Sequence, residues 1–321
     1  MKMKNVPLES VQLKTELGTL KSSSLKYLRE TTSDTTIEEM RKRYLEDGYL
    51  FIKRFFLRSD ILQFRTRFFE YMLPTGIVEP GHEQEGLFSS NKMAEDYAPL
   101  SEKTVNLKEG NNQNSLFLRR LNDAHVLTEY LELNEHPVLV DFIKKFTGWC
   151  SPVLYRRSII RANVPDGEMT PVHYDRLFLR GSDPGFLTAW IPLGDIDLCG
   201  GGLIYLENSL QISKDMEDEW QKAANTLPPE EKLSAFNKAM TMGARCATDA
   251  GEFSDATGRK WMVANYEAGD VVFHQSFMIH ASCQNQDPNN RIRLATDIRY
   301  TDDSKKVDVR WMNHFELGDG L

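Results

Sequence analysis

The chain has 321 residues, 40% hydrophobic and 27% charged, which is the balance of a globular protein with one large domain. Its formal net charge of −8 argues against nucleic acid as a partner. No apolar run reaches the length of a membrane span, and Met1 to Leu20 lacks the apolar core of a secretory signal. We therefore expect a cytoplasmic protein with no membrane partner. The four cysteines form no Cys-x-x-Cys pair, which argues against a zinc site or a disulfide framework.

The order of segments predicts an arm followed by one domain. Residues 1–34 are polar and rich in Ser and Thr, and we predict an N-terminal arm there, with the domain over 35–321. Residues 75–115 show little periodicity, which is typical of a lid or a disordered loop. Helical spacing at about 211–262 interrupts the later strands and predicts a helical insertion, a candidate homodimer contact.

Two helices near the N-terminus have recognisable ends. Thr36 and Glu39 form a capping box that starts the first helix, and Gly48 ends it. Ser59 is expected to cap the second helix, which ends at Pro74.

Beyond Pro152, short apolar runs separated by Gly, Pro and Asn predict β-strands. These runs are 153–161, 170–175, 185–193, 203–206, 261–263, 270–273, 278–282 and 291–298. Many short strands of this kind predict a mainly β fold with flanking helices, either a sandwich or a jelly roll.

His173 and Asp175 lie two residues apart in one of these predicted strands. Side chains at i and i+2 of a strand leave on the same face, so both can point at one atom. With a second histidine they would form the 2-His-1-carboxylate triad that holds Fe(II) and leaves positions open. A His-x-Asp pair is common by chance, so the rest of the chain has to support this prediction.

The second histidine is either His274 or His280. His280 shares a strand face with Ser282, and Arg291 follows at the start of the last apolar strand, beyond a turn. An arginine held there could bind a carboxylate bidentately, and this arrangement favours His280. Arg293, on the same face as Arg291, is the alternative anion-binding residue.

Several ordered motifs together resemble the phytanoyl-CoA dioxygenase family, Fe(II)/2-oxoglutarate oxygenases with a cupin-like double-stranded β-helix core. The motifs are Tyr44–Leu50, His173-Tyr174-Asp175, Trp190–Asp195, Gly200–Tyr205, Gly269–His274, and His280 with Arg291. The likeness spans about Tyr44 to Tyr300. The insertion resembles the fungal-type branch, which includes enzymes that tailor natural products.

The resemblance implies that His173, Asp175 and His280 hold iron and form the catalytic centre, and that Arg291 binds the distal carboxylate of 2-oxoglutarate. O2 is then the oxidant, with ascorbate a helper in vitro. Halogenases of this chemistry lack the carboxylate ligand, so Asp175 favours hydroxylation, desaturation or rearrangement.

Three further residues match the cosubstrate pocket of the family. The hydroxyls of Thr188 and Ser282 match positions near the distal carboxylate, and Trp190 matches a pocket aromatic. Thr188 and Ser282 could equally satisfy backbone groups, and Trp190 could be a core aromatic.

The substrate is less readable. Tyr155 and Arg157 alternate along the strand before the metal motif, and Phe178 follows it, so all three are substrate-contact candidates. We expect oxidation of a C–H bond in a small organic molecule, such as a secondary-metabolite intermediate. The alternatives are an acyl-CoA 2-hydroxylase, a jelly-roll metal enzyme that does not use 2-oxoglutarate, and a non-catalytic binding protein.

Overall fold

The computed structural model describes residues 7–97, 113–228, 245–314 and 316. Its α-helices are α1 (Ile37–Asp47), α2 (Arg58–Met72), α3 (Gln113–Asp123), α4 (Thr128–Asn134), α5 (Pro137–Thr147), α6 (Leu210–Ala224) and α7 (Ala250–Thr257). Its strands are β1 (Leu13–Lys14), β2 (Thr19–Leu20), β3 (Leu25–Tyr27), β4 (Glu30–Thr31), β5 (Tyr49–Ile52), β6 (Pro152–Leu154), β7 (Ile159–Asn163), β8 (Leu187–Pro192), β9 (Leu203–Leu206), β10 (Trp261–Val263), β11 (Val271–Gln275), β12 (His280–Ser282) and β13 (Arg293–Asp302).

Most of the strands form two sheets. The larger sheet has the order β4-β5-β11-β8-β13-β6, with β7 also paired to β13, and the smaller has the order β12-β9-β10-β3. Trp190 of β8, Val272 of β11 and Tyr205 of β9 belong to one buried cluster, so both sheets enclose a common interior. Two sheets that share an interior in this way form the predicted jelly roll, and the fold class is confirmed.

The larger sheet separates this interior from a second core. In β5, Tyr49 and Phe51 belong to the interior cluster, whereas Leu50 and Ile52 pack with residues of α2 and α5. This follows from the two-residue period of a strand. Helices therefore cover the outer face of the larger sheet, and the site can form only on its inner face.

The first helix begins and ends where the sequence predicts. The Thr36 side chain accepts a hydrogen bond from the Glu39 N–H at 3.2 Å, and Gly48 ends α1 with a φ of 79°. The predicted cap of α2 is wrong. The Ser59 hydroxyl bonds to the Asp60 carboxylate instead, and no side chain caps the start of that helix.

The segment expected as an N-terminal arm contributes to the sheets. β3 pairs in parallel with β10 at the edge of the smaller sheet, and β4 pairs with β5 of the larger sheet. Leu13, Leu20 and Leu25 are buried against the outer face of the smaller sheet. These leucines are isolated among polar residues, so periodicity gives no signal for them.

The expected insertion contains α6 and α7, and both pack against the smaller sheet. Residues 229–244 of the expected insertion lie outside the described residues, as does 98–112 of the predicted loop. None of the described helices combines the length and apolarity that a bilayer crossing needs.

Candidate metal centre

His173 and His280 are joined through their backbones. The two residues form an antiparallel bridge with reciprocal N–H···O bonds of 2.9 and 2.8 Å. Tyr174 remains extended, and Asp175 then opens a short 3-10 turn rather than continuing the predicted strand. Since the two histidines are fixed by the sheet hydrogen bonds, their spacing does not depend on a bound ion.

Both imidazoles present the same nitrogen atom to the centre. Nδ1 of His173 donates to the Pro171 carbonyl and Nδ1 of His280 donates to the Met278 carbonyl, each at 2.8 Å. A carbonyl can only accept, so Nδ1 carries the proton and Nε2 keeps its lone pair. Orientation of a ligand histidine by a carbonyl on its other nitrogen is typical of metal sites.

The carboxylate of Asp175 completes a buried group of three donors. Asp175 Oδ1 lies 3.8 Å from His173 Nε2 and 3.9 Å from His280 Nε2. The ligand atoms all lie within 4.8 Å of one another. Two atoms that share one ion at about 2.1 Å are at most about 4.2 Å apart, so the two distances to Asp175 fit a common metal.

The electrostatics of the group also fit a cation. Burial lowers the pKa of His280 to about 4 and that of His173 well below its usual value, so both rings are neutral near pH 7. Burial opposes ionisation of Asp175, but the adjacent Arg299 guanidinium and a bond from His274 hold its pKa well below the usual range. Two neutral imidazoles and one carboxylate are the donors that a ferrous site uses.

The second oxygen of Asp175 has several partners of its own. Thr188 Oγ1 donates to Oδ2 at 2.6 Å, and Arg299 Nε donates to it at 3.1 Å. His274 Nε2 lies 3.4 Å from the same oxygen. His274, the alternative third ligand, is therefore beside the centre, with its ring 4.7 Å from that of His280, but it faces Oδ2, whereas His173 and His280 face Oδ1.

The sequence predicts that Arg291 faces the interior, but in the structure its side chain points away from it. Its guanidinium pairs with Asp287 at 2.6 Å and with Asp197 at 3.5 Å, and its side chain is 29% exposed. Arg291 precedes β13 and forms an isolated antiparallel β-bridge with Leu87. Two carboxylates already compensate its charge, so Arg291 has no need of a carboxylate ligand.

Arg293 has the surroundings expected of an anion-binding residue. It is buried on the inner face of β13, with its Cζ 5.6 Å from the centre of the Trp190 ring. Nη1 donates to Asn163 Oδ1 at 2.6 Å, whereas Nε and Nη2 have no hydrogen-bond partner among the described residues. Burial, together with the nearby positive charge of Arg161, lowers the pKa of Arg293 to about 10.

The other predicted pocket residues have mixed surroundings. Trp190 packs against Tyr266 with ring centres 4.6 Å apart, below the Arg293 guanidinium. Thr188 bonds to Asp175, as described above, and the Ser282 hydroxyl accepts from the Thr170 N–H at 2.7 Å. The Thr188 hydroxyl therefore gives its proton to Asp175, whereas the Ser282 hydroxyl acts as an acceptor in this bond and still has a proton to donate.

The substrate-contact candidates separate into two groups. Phe178 lies beside the centre, with its ring 5.5 Å from that of His173. Tyr155 belongs to a buried cluster with Phe186, against which Phe178 also packs, and the Arg157 N–H donates to the Trp311 carbonyl at 3.1 Å. The predicted strand breaks between β6 and β7 at these two residues, so alternation along it does not decide which side chains face the centre.

Sequence reasoning missed Arg299 and the position of His274. A signal for Arg299 exists, because Arg293, Asp297 and Arg299 share one face of an otherwise apolar strand. A charged residue on such a face is expensive unless it has a partner inside.

The family model described as phytanoyl-CoA dioxygenase (PhyH) matches residues 44–293. The chain belongs to this family. The matched segment contains all three donors of the centre and ends at Arg293. The family consists of non-haem iron, 2-oxoglutarate-dependent enzymes, so the prediction from the motifs is confirmed at this level.

Solved structures agree on the fold. The non-heme alpha ketoglutarate dependent carbocyclase SnoK from nogalamycin biosynthesis is 20% identical, with a TM-score of 0.51 over 92% of this chain and 96% of that one. The epimerase SnoN, in complex with Fe3+, alpha ketoglutarate and nogalamycin RO, is 15% identical, with a TM-score of 0.51 over 89% and 91%. At this identity the likeness shows the fold alone. No curated protein sequence matches the chain significantly.

Proposed function

We propose that the chain is an Fe(II)/2-oxoglutarate-dependent oxygenase that oxidises a C–H bond of a small organic molecule. The observation that carries this proposal is the meeting of His173 Nε2, His280 Nε2 and Asp175 Oδ1 in a jelly-roll interior that also holds the buried Arg293, two of whose nitrogens have no hydrogen-bond partner among the described residues. These three atoms would hold the iron. When bound, iron activates O2 and 2-oxoglutarate supplies two electrons, leaving as succinate and CO2 beside the oxidised substrate.

Arg293, rather than Arg291, is proposed to bind the distal carboxylate of 2-oxoglutarate. Its free Nε and Nη2 can donate to a carboxylate, and Trp190 lines the same part of the interior. A bound dianion would also offset a buried charge that now lacks a partner. Arg291 has none of these features, because Asp287 and Asp197 engage it at the surface.

The proposed substrate is a secondary-metabolite intermediate rather than an acyl-CoA. Two arginines that follow the metal motif are unavailable for the phosphates of coenzyme A. Arg176 donates to the Leu179 and Ser182 carbonyls, and Arg180 pairs with Glu217. SnoK and SnoN, which share the fold, act in the biosynthesis of nogalamycin, and this supports a natural-product substrate.

Paired variants test the proposal. Succinate release from 2-oxoglutarate should require Fe(II) and should be lost in His173→Ala. Arg293→Gln should raise the KM for 2-oxoglutarate about 100-fold, since two charge-assisted bonds of about 1.5 kcal/mol each are lost. Arg291→Gln is the matched control and should change this KM less than about threefold, because its partners are Asp287 and Asp197.

If Arg291→Gln raised the KM for 2-oxoglutarate and Arg293→Gln did not, Arg291 would be the residue that binds the distal carboxylate. Full turnover by His173→Ala would reject the iron centre. Substrate mass separates hydroxylation, which adds one oxygen, from desaturation, which removes two hydrogens. A redox-neutral rearrangement leaves the mass unchanged but changes the retention time, and it needs an added reductant such as ascorbate to supply the remaining two electrons for O2.

A further inference from the structure

The two sheets contribute to the centre in different ways. His280 lies on β12 of the smaller sheet, and His173 is bridged to it. Asp175 lies in a turn and belongs to neither sheet, yet its carboxylate contacts three side chains of the larger sheet. These are Arg299 of β13, Thr188 of β8 and His274 of β11.

These three residues form one row across the larger sheet. Arg299 lies directly opposite Thr188 in the β13–β8 pair, and His274 lies directly opposite Thr188 in the β11–β8 pair. Side chains at such positions point to the same face, about 5 Å apart. We name Arg299, Thr188 and His274 the carboxylate row.

We propose that the carboxylate row is a positioning device that fixes which oxygen of Asp175 faces the metal. Thr188 and Arg299 Nε already donate to Oδ2, and His274 lies within 3.4 Å of it. Oδ1 receives one bond from the row, from Arg299 Nη2 at 3.1 Å, and it alone also faces His173 and His280. Since Oδ2 has no lone pair to spare, Asp175 binds the metal through Oδ1 only.

The row also offsets the cost of burying an ionised carboxylate. Asp175 and Arg299 expose only 1% and 4% of their side chains. The fork of Arg299 contacts both carboxylate oxygens, which fixes the plane of the carboxylate as well as its charge. The row therefore orients the Asp175 carboxylate through the protein's own hydrogen bonds.

The variants keep the charge of the row constant, because the positive charge of Arg299 also repels a bound metal ion and its removal would change metal affinity for that reason alone. Thr188→Val removes one bond without changing shape or charge, and Arg299→Lys keeps the charge but loses the fork. Mn(II) binding, measured by equilibrium dialysis without 2-oxoglutarate, should weaken about 10-fold or more in each variant. Thr188→Ser should restore it, and Arg291→Lys, outside the row, should bind as the parent does. The visible spectrum of the Co(II) protein should change in Thr188→Val, because the freed carboxylate can turn.

This inference rests on the proposed function, and the outcomes separate the two. If the parent binds no divalent metal, both fail. If the parent binds Mn(II) and releases succinate, while Thr188→Val and Arg299→Lys bind Mn(II) within about twofold of it, the row is only structural and the proposed function stands. Should Thr188→Val fail to fold by circular dichroism, Arg299→Lys decides.

Discussion

Arg180 and Glu217 form a buried ion pair that joins the expected insertion to the metal motif. Arg180 Nη2 lies 2.9 Å from Glu217 Oε2, and the guanidinium also stacks on Trp220 at 3.7 Å. Tyr174, between the ligands His173 and Asp175, donates its hydroxyl to the same Oε2 at 3.2 Å. Helix α6 therefore holds the segment that carries two of the three proposed metal ligands.

Glu217→Gln should destabilise the protein strongly. It leaves Arg180 buried without a counterion, and loss of one partner of such a pair costs about 3–5 kcal/mol of unfolding free energy. Denaturant unfolding followed by circular dichroism measures the change. Glu219→Gln, on the exposed face of α6, is the control and should change stability by less than about 0.5 kcal/mol. A loss below about 1 kcal/mol in Glu217→Gln would mean that the pair does not hold this segment.

A bound divalent ion should stabilise the folded protein. At a free Mn(II) concentration 100 times the Kd, the unfolding free energy should rise by about 2.7 kcal/mol, because only the folded chain has the site. His173→Ala and His280→Ala should lose this rise in thermal unfolding, and His82→Ala, at an exposed position, should keep it. Equal stabilisation of all three variants would place the ion elsewhere.

His125 should make stability depend on pH below neutrality. Its Nε2 accepts from the Ile160 N–H at 2.9 Å, its Nδ1 bonds to the Leu121 carbonyl at 2.8 Å, and burial lowers its pKa to about 4. Between pH 6.5 and 4, His125 is protonated in the unfolded chain but stays neutral in the folded chain. The contribution of this group to the unfolding free energy is thus fully present above pH 6.5. It decreases by about 3 kcal/mol as the pH is lowered from 6.5 to 4.

The check compares slopes of unfolding free energy against pH in the metal-free parent and in His125→Gln. Between pH 4 and 6.5 the slope should be smaller in the variant than in the parent, by up to about 1.4 kcal/mol per pH unit. Above pH 7 the two slopes should be equal. His280 contributes a slope of its own in both proteins, because its pKa is also about 4. Identical slopes would show that His125 takes up its proton in the folded state.

The caps of the first two helices give a matched pair. Thr36→Ala should cost about 1 kcal/mol, since the Glu39 N–H loses its partner at the start of α1. Ser59→Ala should cost less than about 0.5 kcal/mol, because Ser59 bonds only to the exposed Asp60 carboxylate. Denaturant midpoints of the two variants measure this difference, and equal losses would contradict the capping assignment.

Local rules predict much of the fold and part of the site. Alternation places Thr188 and Trp190 on one face of β8, and Thr36 and Gly48 mark the ends of α1. His173 is close to Asp175 in sequence, and it meets His280 through a single bridge, so their meeting needs few long-range contacts.

The arginine proposed to bind the cosubstrate is harder to predict, because its position depends on the path of the chain between β12 and β13. Counting from His280 favours Arg291. In the structure Asn285 and Asp287 accept hydrogen bonds from backbone N–H groups of the turn, at 3.0 and 2.8 Å. This connection is not a hairpin turn, because β12 and β13 lie in different sheets, and β13 begins only at Arg293.

The role of Thr188 is likewise outside the reach of sequence patterns. Its hydroxyl could bind a ligand, a backbone group or a side chain, and only the position of the Asp175 turn decides between them. The short strands of residues 7–34 have the same difficulty, because their pairing partners come from distant parts of the chain.

Both Arg293 and Arg299 lie on the inward face of β13, one beside Trp190 and the other on Asp175. Side chains alternate along a strand, so gain or loss of a single residue between them would turn one guanidinium toward the helices. Related proteins that keep both arginines should therefore vary in length before this strand and remain constant between these two positions.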